Sequence, residues 1–223
     1  MNTASVSPRP HISLLGSTAL LFEAPGELDL APQQRIWSLA LQAGEWAEIH
    51  EAVPGMNNLM LTFIKPPRDI NGLCERLQEA WEGSRPLPLE GRIVELPVVY
   101  GGEFGPHIND VVAHTGLDIE TIANLHCEPL YPVYALGSHP GYCYLGGMDS
   151  RLATPRRQVP VISIAAGSVS IGGVQTGVSA SAGPSGWNTI GRTEMAFFDP
   201  TQNPPAMLRP GDMLRLRIER IIR

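Results

Sequence analysis

The stretch QVPVISIAAGSVSIGGVQTGVSASAGPSGWNTIG, Gln158 to Gly191, contains no charged residue, and Gly167, Gly172, Gly173, Gly177, Gly183, Gly186 and Gly191 punctuate it. β-Branched residues between glycine and proline turns read as short strands, so this region predicts a β-barrel or sandwich. It is no phosphate loop, because G-x-x-x-x-G-K-[ST] does not occur. The Gly172–Gly177 spacing is also wrong for a dinucleotide fingerprint. Paired glycines inside strand-like sequence mark bulges, or places where a ligand approaches the backbone. We therefore expect Gly172-Gly173 to let a ligand or partner reach Gln175 and Thr176. The missing charges predict a segment buried partly in the barrel and partly against another subunit, with Arg192 at the rim.

The rest of the chain bounds what such a segment can serve. Its 223 residues are 43% apolar, with 16 Lys+Arg against 22 Asp+Glu and a net charge of −6. That balance excludes the basic face a nucleic-acid binder needs. Cys74, Cys127 and Cys143 form an odd, widely spaced set without C-x-x-C, which reads as free thiols in a reducing compartment. ISLLGSTALLF after Arg9 is split by Gly16-Ser17-Thr18 and lacks a cleavage site, so it reads as two strands and not a signal peptide. No apolar run approaches a membrane span, and a cytoplasmic protein is expected.

Two domains are expected, 1–85 and 92–223, joined by the proline- and glycine-marked linker 83–91. In the first, residues 12–23 form a strand pair, and a helix opens at Pro32 and stops at Gly44. WAEIHEAVPGMNNLMLTFI reads as strand, turn, strand. Asp69 caps a second helix, whose Ile70, Leu73, Cys74, Leu77, Ala80 and Trp81 share one face. Strands alternating with two helices predict a small ferredoxin-like α+β domain. In the second, RIVELPVVYGG is a strand, and two short helices precede the β-rich remainder.

VVAHTGLDIETIANLH (111–126) has helix-turn-helix spacing. Its second helix carries Asp118 and Glu120, with Glu128 just beyond and no Lys or Arg, so it would repel a duplex; a packed helical hairpin is expected. His107, Asp110 and His114 share the spacing of a metal-binding helix face, but Pro106 puts His107 at the loose first turn, and no metal site is assigned.

His126 continues the apolar stripe of Ile119, Ile122 and Ala123. Such a residue is either a core histidine with a satisfied hydrogen bond or a buried acid–base group. Tyr142 and Tyr144 alternate as in a strand. Arg151, Arg156 and Arg157 cluster around Thr154-Pro155, where guanidinium forks could take a carboxylate or phosphate or simply be solvated. Trp187 and Asn188 could wall a pocket whose uncharged floor holds Gln175 and Thr176 and whose margins carry arginines, or the glycines could be turns in a compact barrel.

PGMNN, PVVYGGEFGP, HTGL, LGSHPGYCYLG, RLATPR, AGSVSIGGVQTG, GWNTIGRT, FFDP and LRPGD occur in order over nearly the whole chain. Together they resemble the family of the B-type 5-oxoprolinase subunit, which includes the kinase inhibitor KipI and the first carboxyltransferase-like half of urea carboxylase, also called allophanate hydrolase subunit 1. The resemblance implies an N-terminal α+β domain and a C-terminal cyclophilin-like β-barrel. It implies a protein that acts with a C-type subunit of related barrel fold and an A-type subunit to open 5-oxo-L-proline to L-glutamate using ATP. An unstrained lactam is a poor electrophile, and phosphorylating its carbonyl oxygen creates a leaving group. The alternatives it implies are inhibition of a sensor histidine kinase, or action on another amide or urea-type substrate. The signature positions carry over as His126, Arg156, Gln175, Thr176, Trp187, Asn188 and Arg192; of the candidate site, His126, Arg156 and Gln175 are expected to act in catalysis, and Tyr142, Thr176, Trp187, Asn188 and Arg192 in substrate binding. The chain departs from the family pattern at Ser138-His139, at Val161 and at Ser179-Ala180.

Overall fold

The computed structural model of the chain describes residues 9–88 and 90–223. The first eight residues of the expected first domain, and Leu89 in the expected linker, lie outside the described residues. The chain divides into two compact units, one ending at Pro88 and the other running Leu89–Arg223.

The first unit contains β1 (His11–Leu15), β2 (Ala19–Glu23), α1 (Leu30–Gly44), β3 (Glu51–Pro54), β4 (Asn58–Thr62) and α2 (Ile70–Gly83). Asp29 Oδ1 accepts from the Leu30 amide at 2.7 Å, so α1 starts two residues before Pro32 and keeps that proline in its first turn. Asp69 caps α2 through the Gly72 amide at 2.9 Å, and Leu73, Leu77 and Trp81 turn inward. The strand expected from Trp46 begins only at Glu51. Turn bonds from the Trp46 amide to Ala43 O (3.0 Å) and from Ile49 to Trp46 O (3.0 Å) occupy the connection, and Trp46 is buried in the core. The sheet order is β1-β2-β4-β3, antiparallel throughout. β4 lies between β2 and β3, as in a split β-α-β unit. The chain order is ββαββα, however, and not the βαββαβ of a ferredoxin-like domain, because the outer strand β1 precedes the unit and the segment after α2 is proline-marked coil.

The second unit contains β5 (Ile93–Gly101), α3 (Ile108–Thr115), α4 (Ile119–Cys127), β6 (Leu130–Leu136), β7 (Cys143–Leu145), β8 (Val161–Ile164), β9 (Ser168–Gly172), β10 (Gln175–Val178), β11 (Gly183–Ser185), β12 (Asn188–Arg192) and β13 (Met213–Ile222). Seven strands close a barrel in the order β10-β7-β6-β13-β5-β12-β9. Only β5 and β13 run parallel. Inward Leu96, Val98, Tyr131, Val133, Val169, Ile171, Ile190 and Leu214 fill the interior. The α3–α4 pair is the expected helical hairpin, with Gly116 at φ 73° ending α3 and Asp118 accepting from the Thr121 amide at 2.7 Å to start α4.

The uncharged run has two fates. β9, β10 and β12 enter the barrel, and every residue of β9 is buried. Among the described residues β8 and β11 pair only with each other as a ribbon outside it, with Ile162 on β8 90% exposed and Val159 just before it 77%. Among the described residues no helix is long and apolar enough to cross a membrane.

Candidate functional site

His126 ends up in the barrel interior, with no exposed surface. Its Nδ1 lies 2.7 Å from Tyr100 Oη and its Nε2 lies 2.8 Å from Thr176 Oγ1. The Thr176 hydroxyl donates onward to Ser170 O at 3.1 Å. Thr176 therefore accepts from Nε2–H, and Nδ1 accepts from the tyrosine hydroxyl, which fixes one neutral tautomer. Tyr131 Oη closes the surround by donating to His126 O at 2.8 Å. Burial lowers the imidazole pKa from 6.5 to about 3.

This has a consequence for stability. The folded pKa is below the unfolded one, so the unfolded chain binds the extra proton between pH 6.5 and about 3. The contribution is fully present above pH 6.5 and is lost as pH falls through that window. Denaturant titrations should show a loss of about 2–3 kcal/mol between pH 7 and pH 4.5 from this group. His126→Gln, which cannot titrate, should flatten that part of the profile, and an unchanged slope would place the acid sensitivity elsewhere.

An open groove lies where the segment 154–159 crosses the start of β12. Asp110, His114, Thr154, Arg156, Val159 and Asn188 border this groove of ≈ 420 Å³. The segment carrying the arginines is stitched down. Thr154 and Gly173 exchange backbone hydrogen bonds of 3.0 and 2.7 Å, the Arg157 amide donates to Gly186 O at 2.8 Å, and Asn188 Nδ2 donates to Pro155 O at 2.9 Å. Arg151 is paired with Asp149 at 2.6 Å, and its hydrogen bonds hold that carboxyl down at about 2. Arg157 is paired with Asp110. Arg156 is exposed and, among the described residues, has no carboxylate partner; its guanidinium carbon stands 5.7 Å from the Trp187 ring.

Trp187 is the wall behind that arginine. Tyr142 and Tyr144 meet it edge-on at 6.2 and 6.1 Å and each other at 4.8 Å. Burial raises the Tyr142 hydroxyl pKa well above the ordinary phenol range, with Tyr144 and Cys143 adding and Arg156 opposing. The Trp187 ring lies flat on Gly172, where a Cβ would fall 2.5–2.6 Å from it.

The expected role of the glycine pair therefore changes. Gly172 seats the tryptophan. Gly173, at φ +65°, is the first residue of the two-residue β9–β10 turn, the position that favours glycine in a type II′ hairpin. Its amide and carbonyl are bonded to Thr154 and a Cβ there would meet open space, so the turn conformation, and not a close approach, is what calls for glycine at 173.

The predicted site residues separate into groups. Arg156 and Asn188 line the groove, with Trp187 behind Arg156 and Tyr142 packed on Trp187. Gln175 opens β10, half-buried, across from Gly172. Thr176 and His126 lie below, inside the barrel. Arg192 does not join them: it ends β12, about 13 Å along the strand from Asn188. There it lies 3.3 Å from Glu194 and 4.4 Å from the centre of the Phe104 ring. His107 and Asp110 are also committed, His107 Nδ1 accepting from the Thr189 amide at 3.0 Å and Asp110 pairing Arg157. Two departures from the family pattern lie side by side, with His139 Nε2 3.3 Å from Ser179 Oγ. Sequence reasoning missed Tyr100 as the partner of His126 and Gly172 as the seat of Trp187.

The family model described as carboxyltransferase domain, subdomain C and D, matches residues 10–208. The chain is 44% identical over 207 residues to the B-type 5-oxoprolinase subunit of Escherichia coli O157:H7, covering 93% of this chain and 95% of that one. It is 38% identical over 211 residues to the B-type 5-oxoprolinase subunit of Haemophilus influenzae, covering 95% and 99%. The crystal structure of TTHA0988 superposes with a TM-score of 0.74 at 32% identity over 92% of this chain, which spans only 40% of that longer one. The Kluyveromyces lactis urea amidolyase superposes with a TM-score of 0.78 at 18% identity over 96% of this chain and 15% of that one, a likeness of fold. With the family model spanning six of the seven barrel strands and most of the first unit, and with relatives of this similarity along nearly their whole length, the chain belongs to the carboxyltransferase-domain family of the B-type 5-oxoprolinase subunits.

Proposed function

We propose that the chain is the B-type subunit of an ATP-dependent 5-oxoprolinase that opens 5-oxo-L-proline to L-glutamate with a C-type barrel subunit and an A-type subunit, and that it is inactive alone. The observation that carries this reading is Arg156: a guanidinium without a carboxylate partner among the described residues, on a stitched-down segment, against an aromatic wall, beside two arginines already neutralised. A planar fork of that kind suits a carboxylate or a phosphoryl group. Trp187 and Tyr142 supply apolar surface for a small ring, and Gln175 supplies an amide. Asn188 holds the Pro155 carbonyl and so keeps Arg156 in place. His126 and Thr176, having no exposed surface, act by positioning β10. Arg192 belongs to the opposite rim. One free guanidinium offsets a single anionic group, so the bulk of the ATP triphosphate charge falls to the partner subunits. In this reading the barrel is cyclophilin-like, the first unit is a permuted ferredoxin-like domain, and 83–91 joins two domains.

In the assembled complex, Arg156→Ala should weaken 5-oxo-L-proline or phosphate binding by about 1.5–3 kcal/mol, the range for a charge-assisted hydrogen bond. Calorimetry reads it directly, and an unchanged affinity would reduce Arg156 to a solvated side chain.

A further inference from the structure

We propose that the free edge of β8, with Val159 and Ile162, is the surface on which the C-type barrel subunit docks, and that this docking borders and completes the Arg156 groove. The inference rests on the 5-oxoprolinase reading above. Among the described residues β8 and β11 pair only with each other, outside the barrel. A two-stranded ribbon is marginal in water by itself, and a neutral open strand edge is a template for another strand. The two edges of this ribbon differ. β11 contains Pro184, which offers no N–H, whereas β8 (VISI) contains neither proline nor charge. One edge is therefore open to an added strand.

The chemistry of the occupant follows from what surrounds that edge. Ile162 is 90% exposed and Val159 77%, and the run from Gln158 to Gly191 that supplies both strands of the ribbon carries no charge. A face of this kind selects a neutral, apolar strand edge and offers nothing to a charged one. A different partner fits better than a second copy for two reasons. The matching fold occupies only 40% of the TTHA0988 chain, so in that protein it is joined to further protein. Val159 both lines the groove and leads into β8, so a protein seated on β8 abuts the open side of the site. The groove as the single chain presents it is then half of a site.

The test is a titration of the purified chain with the C-type subunit, read by calorimetry and by sedimentation. The wild type should form a stable complex, and the double variant Val159→Asp/Ile162→Asp should bind about 100-fold more weakly or not at all, because two buried carboxylates would face an apolar edge. Its thermal midpoint should match the wild type, since both side chains are exposed; if it does not, Ile162→Ser replaces it. Arg156→Ala should still form the complex. Wild-type affinity in the β8 variants would overturn the docking surface and leave the 5-oxoprolinase reading standing. A wild type that ignores the C-type subunit would overturn both. A wild type that instead self-associates through β8, with the dimer lost in the variants, would replace the proposed occupant by a second copy.

Discussion

Replacing His126 by alanine should cost the barrel about 3–4 kcal/mol. The ring sits at the junction of α4, β5 and β10, bonded to Tyr100 on one side and Thr176 on the other. Alanine removes both bonds and leaves a cavity that the neighbouring Tyr100, Tyr131 and Ile122 can only partly close. The penalty stops short of larger values because neither partner is wholly orphaned. Tyr100 Oη keeps Cys127 Sγ at 3.3 Å, and Thr176 keeps Ser170 O. Denaturant unfolding followed by tryptophan emission would measure it. A loss below about 1 kcal/mol would mean that the imidazole is not the keystone its geometry implies.

The substitution Gly172→Val should damage the candidate site more than any groove-lining change. A Cβ at 172 meets the Trp187 ring at 2.5–2.6 Å, so the indole must leave its seat. Trp187 is 7% exposed and flanked by Tyr142 and Tyr144, so the displacement spreads through the aromatic wall. Overpacking of this kind costs about 1–3 kcal/mol of stability. It also removes the surface behind Arg156. Anion binding in the assembled complex should fall at least as far as in Arg156→Ala, and the tryptophan emission maximum should shift to the red. Wild-type binding with an unshifted spectrum would show that the wall does not set the arginine.

Much of this is legible in the sequence where the determinants are local. Asp69 and Asp118 cap their helices through residues three positions on, and the i, i+3, i+4 face of α2 needs no tertiary knowledge. The β-rich texture after residue 91 is legible for the same reason. What cannot be read is set by distant partners. The apolar stripe points to a buried His126, but its bonds reach back 26 residues to Tyr100 and forward 50 to Thr176. Gly172 is visible as a glycine and not as the floor under a tryptophan fifteen residues later. Arg192 looks close to Asn188 along the chain, yet an extended strand carries it to the opposite rim. An uncharged run suggests burial throughout; β8 and β11 show that the same composition also describes an exposed ribbon. The strand order of the first unit, β1-β2-β4-β3, is hidden because strand–helix alternation does not say which strand takes the sheet edge.

The most direct measurement of the central claim is 5-oxo-L-proline-dependent ATP hydrolysis by the purified chain, alone and combined with the C-type and A-type subunits. The account predicts no substrate-dependent phosphate release from the chain alone, glutamate-coupled release from the full set, and loss of that release when Arg156→Ala is used. Substrate-dependent turnover by the chain alone, or a full set that is inactive or indifferent to Arg156, would contradict it.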